Sequence, residues 1–125
     1  MAPPFTIEHV KNGNYLWVRV SVPVTRELAD EFTQGAENEC RRIGCGGYLV
    51  DVRGVTNIST VNDNVEFSNW DMKMTGAQAE MKRAVLTDVD DETHDIPILA
   101  MRELGYNVEK FTDEQDAINW LIPAV

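Results

Sequence analysis

The chain has 125 residues, 43% of them hydrophobic, two cysteines and a formal net charge of −10. That length suits one domain able to bury a core without metal or disulfides. The acidic balance argues against a basic face for nucleic-acid phosphates and against docking on anionic lipid, and fits a basic partner or simple solubility.

Cys40 and Cys45 build no disulfide framework and match no zinc spacing, so they are expected as reduced thiols in a cytoplasmic protein. No charged-then-apolar leader and no apolar run near ~18 residues stands in the sequence, so neither a signal peptide nor a membrane span is expected. Residues 1–4 read as a flexible tail and residues 5–125 as a single domain.

Residues 5–10 alternate apolar and polar side chains, Asn12 and Gly13 tolerate positive φ and signal a hairpin, and residues 14–22 alternate again. Leu16, Val18, Val20 and Val22 then share one face, and Tyr15, Trp17, Arg19 and Ser21 the other. Thr25 can cap a first helix, in which Leu28, Phe32, Ala36 and Cys40 recur every four residues. Glu27, Asp30 and Glu31 lie near its positive end, Arg41 and Arg42 near its negative end, and Gly44 stops it. Residues 48–52 form a third strand. A second helix is expected over residues 62–74, with Val65, Trp70 and Met74 among its apolar contacts. Residues 83–87 form a fourth strand. Asp95 or Thr93 can cap a third helix, with Pro97 in its first turn and Gly105 at its end. Residues 106–111 form the last strand. Thr112-Asp113-Glu114-Gln115 reads as a capping box opening a terminal helix, with Ala117, Trp120 and Leu121 facing inward.

The order is β-β-α-β-α-β-α-β-α. Strands alternating with helices imply parallel pairing and right-handed crossovers, so the expected fold is a mixed α/β sheet. Its N-terminal strand runs antiparallel, sequential parallel β-α units follow, and the crossover helices fall mainly on one face. Glu8, Arg19, Asp51 and Arg53 interrupt the strands, which suggests that the other face is only partly covered.

This order resembles the SpoIIAA-like fold, shared by the STAS domains of bacterial anti-sigma-factor antagonists and anion transporters. So does the segment 47–64, Gly-Tyr-Leu-Val-Asp-Val-Arg-Gly-Val-Thr-Asn-Ile-Ser-Thr-Val-Asn-Asp-Asn. The stretch 108–121 is similar to the ending of small bacterial SpoIIAA-like proteins of unknown function. Related domains of the CRAL-TRIO type bind lipids. In the antagonists a strand is followed by Asp-Ser-Ser-Gly, whose first Ser a partner kinase phosphorylates. Aligned without a gap, Thr60 stands at that Ser, Ser59 at the Asp, Val61 at the second Ser and Asn62 at the Gly. The resemblance implies a SpoIIAA-like fold and a regulatory or protein-interaction role.

Ser59 and Thr60 are thus candidates for a phospho-acceptor or a rim contact, and one of them could equally cap the second helix. Asp88, Asp90, Asp91, Glu92 and Asp95, with His94, form an acidic stretch whose oxygens could hold a hard cation. Thr93 and Leu99 stand where an EF-hand needs Gly and Glu, so a solvated helix-entry loop is expected and no metal or other cofactor. It should share a rim with Thr60. His9 and His94 offer no nucleophile pairing, and Gly44-Cys45-Gly46-Gly47 precedes a strand, the wrong order for a phosphate loop. Tyr15, Trp17 and Arg19, residue types enriched at interfaces, mark a candidate contact face for a partner or a homodimer, as does an exposed helix stripe. The leading expectation is a non-enzymatic interaction module with an unknown protein partner. The alternatives are a small-molecule or lipid carrier and, last, a metal-assisted hydrolase.

Overall fold

The structure is a computed structural model that describes residues 2–122. Strand β1 (Phe5–Val10) turns through Gly13, at φ +115°, and Asn14, at φ +53°, into β2 (Tyr15–Val20). The two run antiparallel, Phe5 opposite Val20 and Val10 opposite Tyr15. β3 (Gly47–Asp51), β4 (Lys82–Leu86) and β5 (Val108–Phe111) follow in parallel, and the sheet order is β1-β2-β3-β4-β5. Sequential order lets each crossover use one helix: α1 (Arg26–Ile43), then α2, then α3 (Asp95–Glu103). Helix α2 is continuous but not uniform: Val61–Glu66 is α-helical, Phe67–Asp71 is a π-helical turn, and Met72–Met74 resumes the α form. The chain closes with α4 (Glu114–Leu121). Among the described residues no helix is long and apolar enough to cross a membrane.

Period-2 alternation divides the strands between two cores. Leu16, Val18, Tyr48, Val50 and Val85 pack on one face against α1, α2 and α3, through Phe32, Ala36, Phe67, Met72 and Ile98. Tyr15, Trp17, Leu49, Ala84 and Leu86 pack on the other against Ala117 and Leu121 of α4. The crossover helices therefore share a face as expected, and the terminal helix covers the opposite one. Trp120, expected inward, is half-buried, its ring 5.6 Å from that of Phe111. Gly47 is required where β3 meets β4, because a Cβ there would stand 2.5 Å from the Lys82 carbonyl oxygen.

Element ends follow side-chain chemistry. The Thr25 hydroxyl accepts the Leu28 N–H at 3.1 Å, and Gly44, left-handed at φ +74°, ends α1. At α4 the cap lies one residue beyond the expected box: Asp113, not Thr112, accepts from the Asp116 N–H at 2.9 Å. Its carboxylate satisfies the orphan amide as a Thr hydroxyl would, and its charge suits the helix dipole better. Helix α3 has no side-chain cap, and Pro97 sits in its first turn. The carbonyls of Pro3 and Pro4, in the stretch expected to be loose, accept hydrogen bonds from Ser21 at 3.2 and 2.9 Å. Met1 of that stretch, and residues 123–125 of the expected domain, lie outside the described residues.

The cysteine expectation is corrected. Cys40 and Cys45 are joined as a disulfide, their Cα atoms 4.9 Å apart. The N–H groups of Gly44 and Cys45 both donate to the Cys40 carbonyl, so the left-handed turn folds Cys45 back beneath Cys40. The cytoplasmic expectation thereby loses the support it drew from reduced thiols.

Candidate functional site

Parallel strands deliver their following loops to one end of the sheet, and those loops are stitched together. The Gly54 N–H donates to Asp88 at 2.7 Å, and the Asn57 N–H to the Thr93 hydroxyl at 2.9 Å. His94 is buried, with Nε2 3.2 Å from the Val55 carbonyl and 3.4 Å from Asp91. The loops carrying Thr60 and Asp88 thus share the expected rim. The Thr60 hydroxyl accepts the Asp63 N–H at 3.0 Å and caps α2. The Ser59 N–H donates to Asn57 Oδ1 at 2.9 Å, and its side chain lies where two hollows meet.

The acidic loop is occupied with its own bonds. Asp91 accepts from the Thr93 N–H and hydroxyl at 2.8 and 2.6 Å, and Asp95 takes Lys110 Nζ at 2.7 Å. Burial pushes the Asp91 carboxyl up, but the Thr93 hydrogen bonds outweigh it and hold the group below its ordinary range. Asp90 is exposed. Among the described residues no three acidic, His or Cys side chains converge on a metal-sized site.

Arg26, at the start of α1, lies beside both hollows. Its guanidinium forks onto Asp71 at 2.8 and 3.0 Å and reaches Glu66 at 2.9 Å and Asp63 at 3.5 Å. Asp30, one turn on, lies against Asp71. Burial first, then its hydrogen bond to Asp71, pushes Asp30 up to about 7, while the Arg26 fork holds Asp71 below its ordinary value. Asp30 Oδ1 is buried with no partner. An outer cleft of about 470 Å³ runs between Thr25, Glu27 and Asp30 on one side and Ile58, Thr60 and Asp63 on the other.

Beneath Arg26 and Ser59 lies an inner cavity of about 70 Å³, walled mainly by Phe32, Val50, Phe67, Met72 and Ile98. Tyr48 and Arg83 bound its far end. There the fully buried Glu37 accepts from the Tyr48 hydroxyl at 2.6 Å and from Arg83 Nε at 2.9 Å. Arg83 also donates to the carbonyls of Met81 and Gln78, at 2.9 and 2.7 Å, so its charge is met on three sides. Burial, then the Glu37 charge, raises the Tyr48 phenol well above its ordinary value.

The candidate face of Tyr15, Trp17 and Arg19 divides. Tyr15 and Trp17 are 4% and 8% exposed beneath α4, and only Arg19 meets solvent, its guanidinium 4.2 Å over the Trp17 ring. The Trp17 indole N–H donates to Asp51 at 3.3 Å.

The surface that sequence reasoning misplaced is α2. Val65, Trp70 and Met74 do not face the core. With Val61 they are 37%, 63%, 83% and 62% exposed respectively, while Asn64, Phe67, Ser68 and Met72 face inward. The exposed four are spaced four, five and four residues apart. A regular α-helix would carry the five-residue step about 140° around the axis, onto the buried side. The π turn absorbs the extra residue: the Met72 N–H donates to Phe67 O, five residues back. Both faces of α2 therefore stay in line across the irregularity. Glu66, Asp63 and Asp71 border the exposed stripe on the side toward α1.

No family model and no curated protein matches the sequence. A solved structure from Shewanella loihica PV-4, of an uncharacterized protein from the DUF3478 family with a SpoIIAA-like fold, is similar to this chain. Identity is 18% and the TM-score 0.57, over 94% of this chain and 91% of that one. That likeness shows the fold, and the SpoIIAA-like expectation is borne out.

Proposed function

We propose that this chain is a non-enzymatic protein-interaction module whose docking face is the outer side of α2. One observation carries the reading: Val61, Val65, Trp70 and Met74 form a single exposed apolar stripe, kept in line by the π turn. Scattered exposed apolar residues need no explanation, but an aligned row centred on a tryptophan is the composition of an interface core. Fully burying such a side chain contributes roughly 1.5–3 kcal/mol, and the isolated chain leaves a share of that unrealised, smallest at Val65, 37% exposed, and largest at Met74, 83% exposed.

Neither hollow suits the carrier alternative: the outer cleft is large enough, but its walls carry Arg26, Glu27, Asp30 and Asp63 in place of the mainly apolar lining of a carrier site, and the apolar inner cavity is too small. Ligand sites usually enclose about 300–1,000 Å³, and the inner cavity has about 70 Å³. Its polar lining at Arg83 and Tyr48 is committed to Glu37.

Photo-crosslinking in the source cells tests the reading. With p-benzoylphenylalanine placed at position 70, a discrete adduct with another protein is expected, and none with the same probe at exposed Gln34 on α1. Equal adducts at both positions, or none at position 70, would overturn it.

A further inference from the structure

Resting on that reading, we infer that the partner of the α2 face is a basic amphipathic protein segment, apolar along one side with lysine or arginine along its edge. The charge beside the stripe carries the assignment. On the α1 side the stripe is bordered by Asp63, Glu66 and Asp71, and beyond them the outer cleft adds Glu27. One cation, Arg26, serves this border, and it is already divided among Asp71, Glu66 and Asp63. Asp63 and Glu66 keep 43% of their side-chain surface in water, so they can turn toward an incoming cation. Lys73, the one basic residue within α2 itself, is exposed and makes no ion pair among the described residues.

Two other occupants fit less well. A second copy of this chain would set acidic border against acidic border, at a net charge of −10 per copy. An anionic membrane meets the same repulsion. A basic segment instead places its apolar row on Val61, Val65, Trp70 and Met74 and its cations against the carboxylate edge. Such an arrangement speeds encounter and fixes orientation through charge while the apolar row supplies affinity.

The test uses the whole chain and two synthetic amphipathic peptides of equal length, one with Leu and Lys on its two faces, the other with Glu replacing every Lys. Fluorescence anisotropy should show the Lys peptide binding at least about tenfold more tightly than its Glu twin, and more weakly as salt rises. Trp70→Ala should weaken the Lys peptide by about tenfold or more. The pair Asp63→Asn and Glu66→Gln should bring the two peptides together, with circular dichroism checking that the variant stays folded. Equal binding of both peptides, or of neither, would overturn the assignment. So would a Trp70-dependent dimer in sedimentation equilibrium, or a shift of Trp70 emission on phosphatidylcholine vesicles without peptide binding. A position-70 crosslink to an acidic segment would overturn the partner class and leave the docking reading standing, whereas loss of that crosslink removes the docking reading itself.

Discussion

Helix α1 is held by an ion cluster at each end, and the two differ in their access to water. At the amino ends of the strands, Glu37, Tyr48 and Arg83 are sealed between α1 and the sheet. At the carboxyl ends, Arg26, Asp30, Asp71 and Glu66 tie α1 to the π turn of α2 while staying partly wet. The chemistry is the same and the energetics are opposite. A sealed pair adds little over an apolar replacement, yet breaking it strands a charge. A wet cluster can be rearranged at small cost, which suits a border that must meet a partner.

Glu37→Ala should have the largest effect, since it leaves Arg83 buried without its carboxylate: a loss of about 3–5 kcal/mol in urea unfolding is expected. A loss below about 1 kcal/mol would mean that the sealed cluster opens to water, and the contrast between the two ends would fail. Reducing the Cys40–Cys45 bridge, at the same end of α1, should come next, at about 2 kcal/mol for so short a loop. An unchanged urea midpoint under reductant would show that the thiols are not joined.

Asp30 sharpens the contrast through pH. Its pKa is raised to about 7 by burial and by Asp71, whereas in the unfolded chain it ionises near ~4. The folded state therefore holds a proton that the unfolded state has lost. This contribution is full below the unfolded value, declines as pH rises toward about 7 and is flat above. The wild type should lose stability relative to Asp30→Asn across that window. Parallel pH profiles for the two proteins would contradict the raised Asp30 value. The smallest stability effect is expected for Trp70→Ala, within about 0.5 kcal/mol, because the ring stands mostly in water.

Much of the fold was legible because its signals are local. Alternation in β1 and β2, the Thr25 and Thr60 caps and the Gly44 stop all act within a few residues. The clusters were not legible, because Arg26 and Asp71 are 45 residues apart and Glu37 and Arg83 are 46 apart. A usable hint was present in Arg83 itself: a charge inside an apolar strand needs a buried partner. The covering of Tyr15 and Trp17 was hidden too, since no local pattern states which face a terminal helix will take. At α2 the misreading had a definite cause. Val65, Trp70 and Met74 look like one helical face only if a five-residue step counts as a turn, and they do share a face. It is the outer one, because Asn64 and Ser68 are the residues drawn inward, with the Ser68 hydroxyl donating to the carbonyls of Asn64 and Pro97 at 3.1 and 3.3 Å.

The most direct test of the α2 face is a crosslinking scan, one photo-reactive residue at a time, over positions 61–74. Adducts should peak at 61, 65, 70 and 74, reproducing the four-five-four spacing that the π turn imposes. A scan that is flat, or one that peaks on the Asp63 and Glu66 side without Trp70, would contradict it.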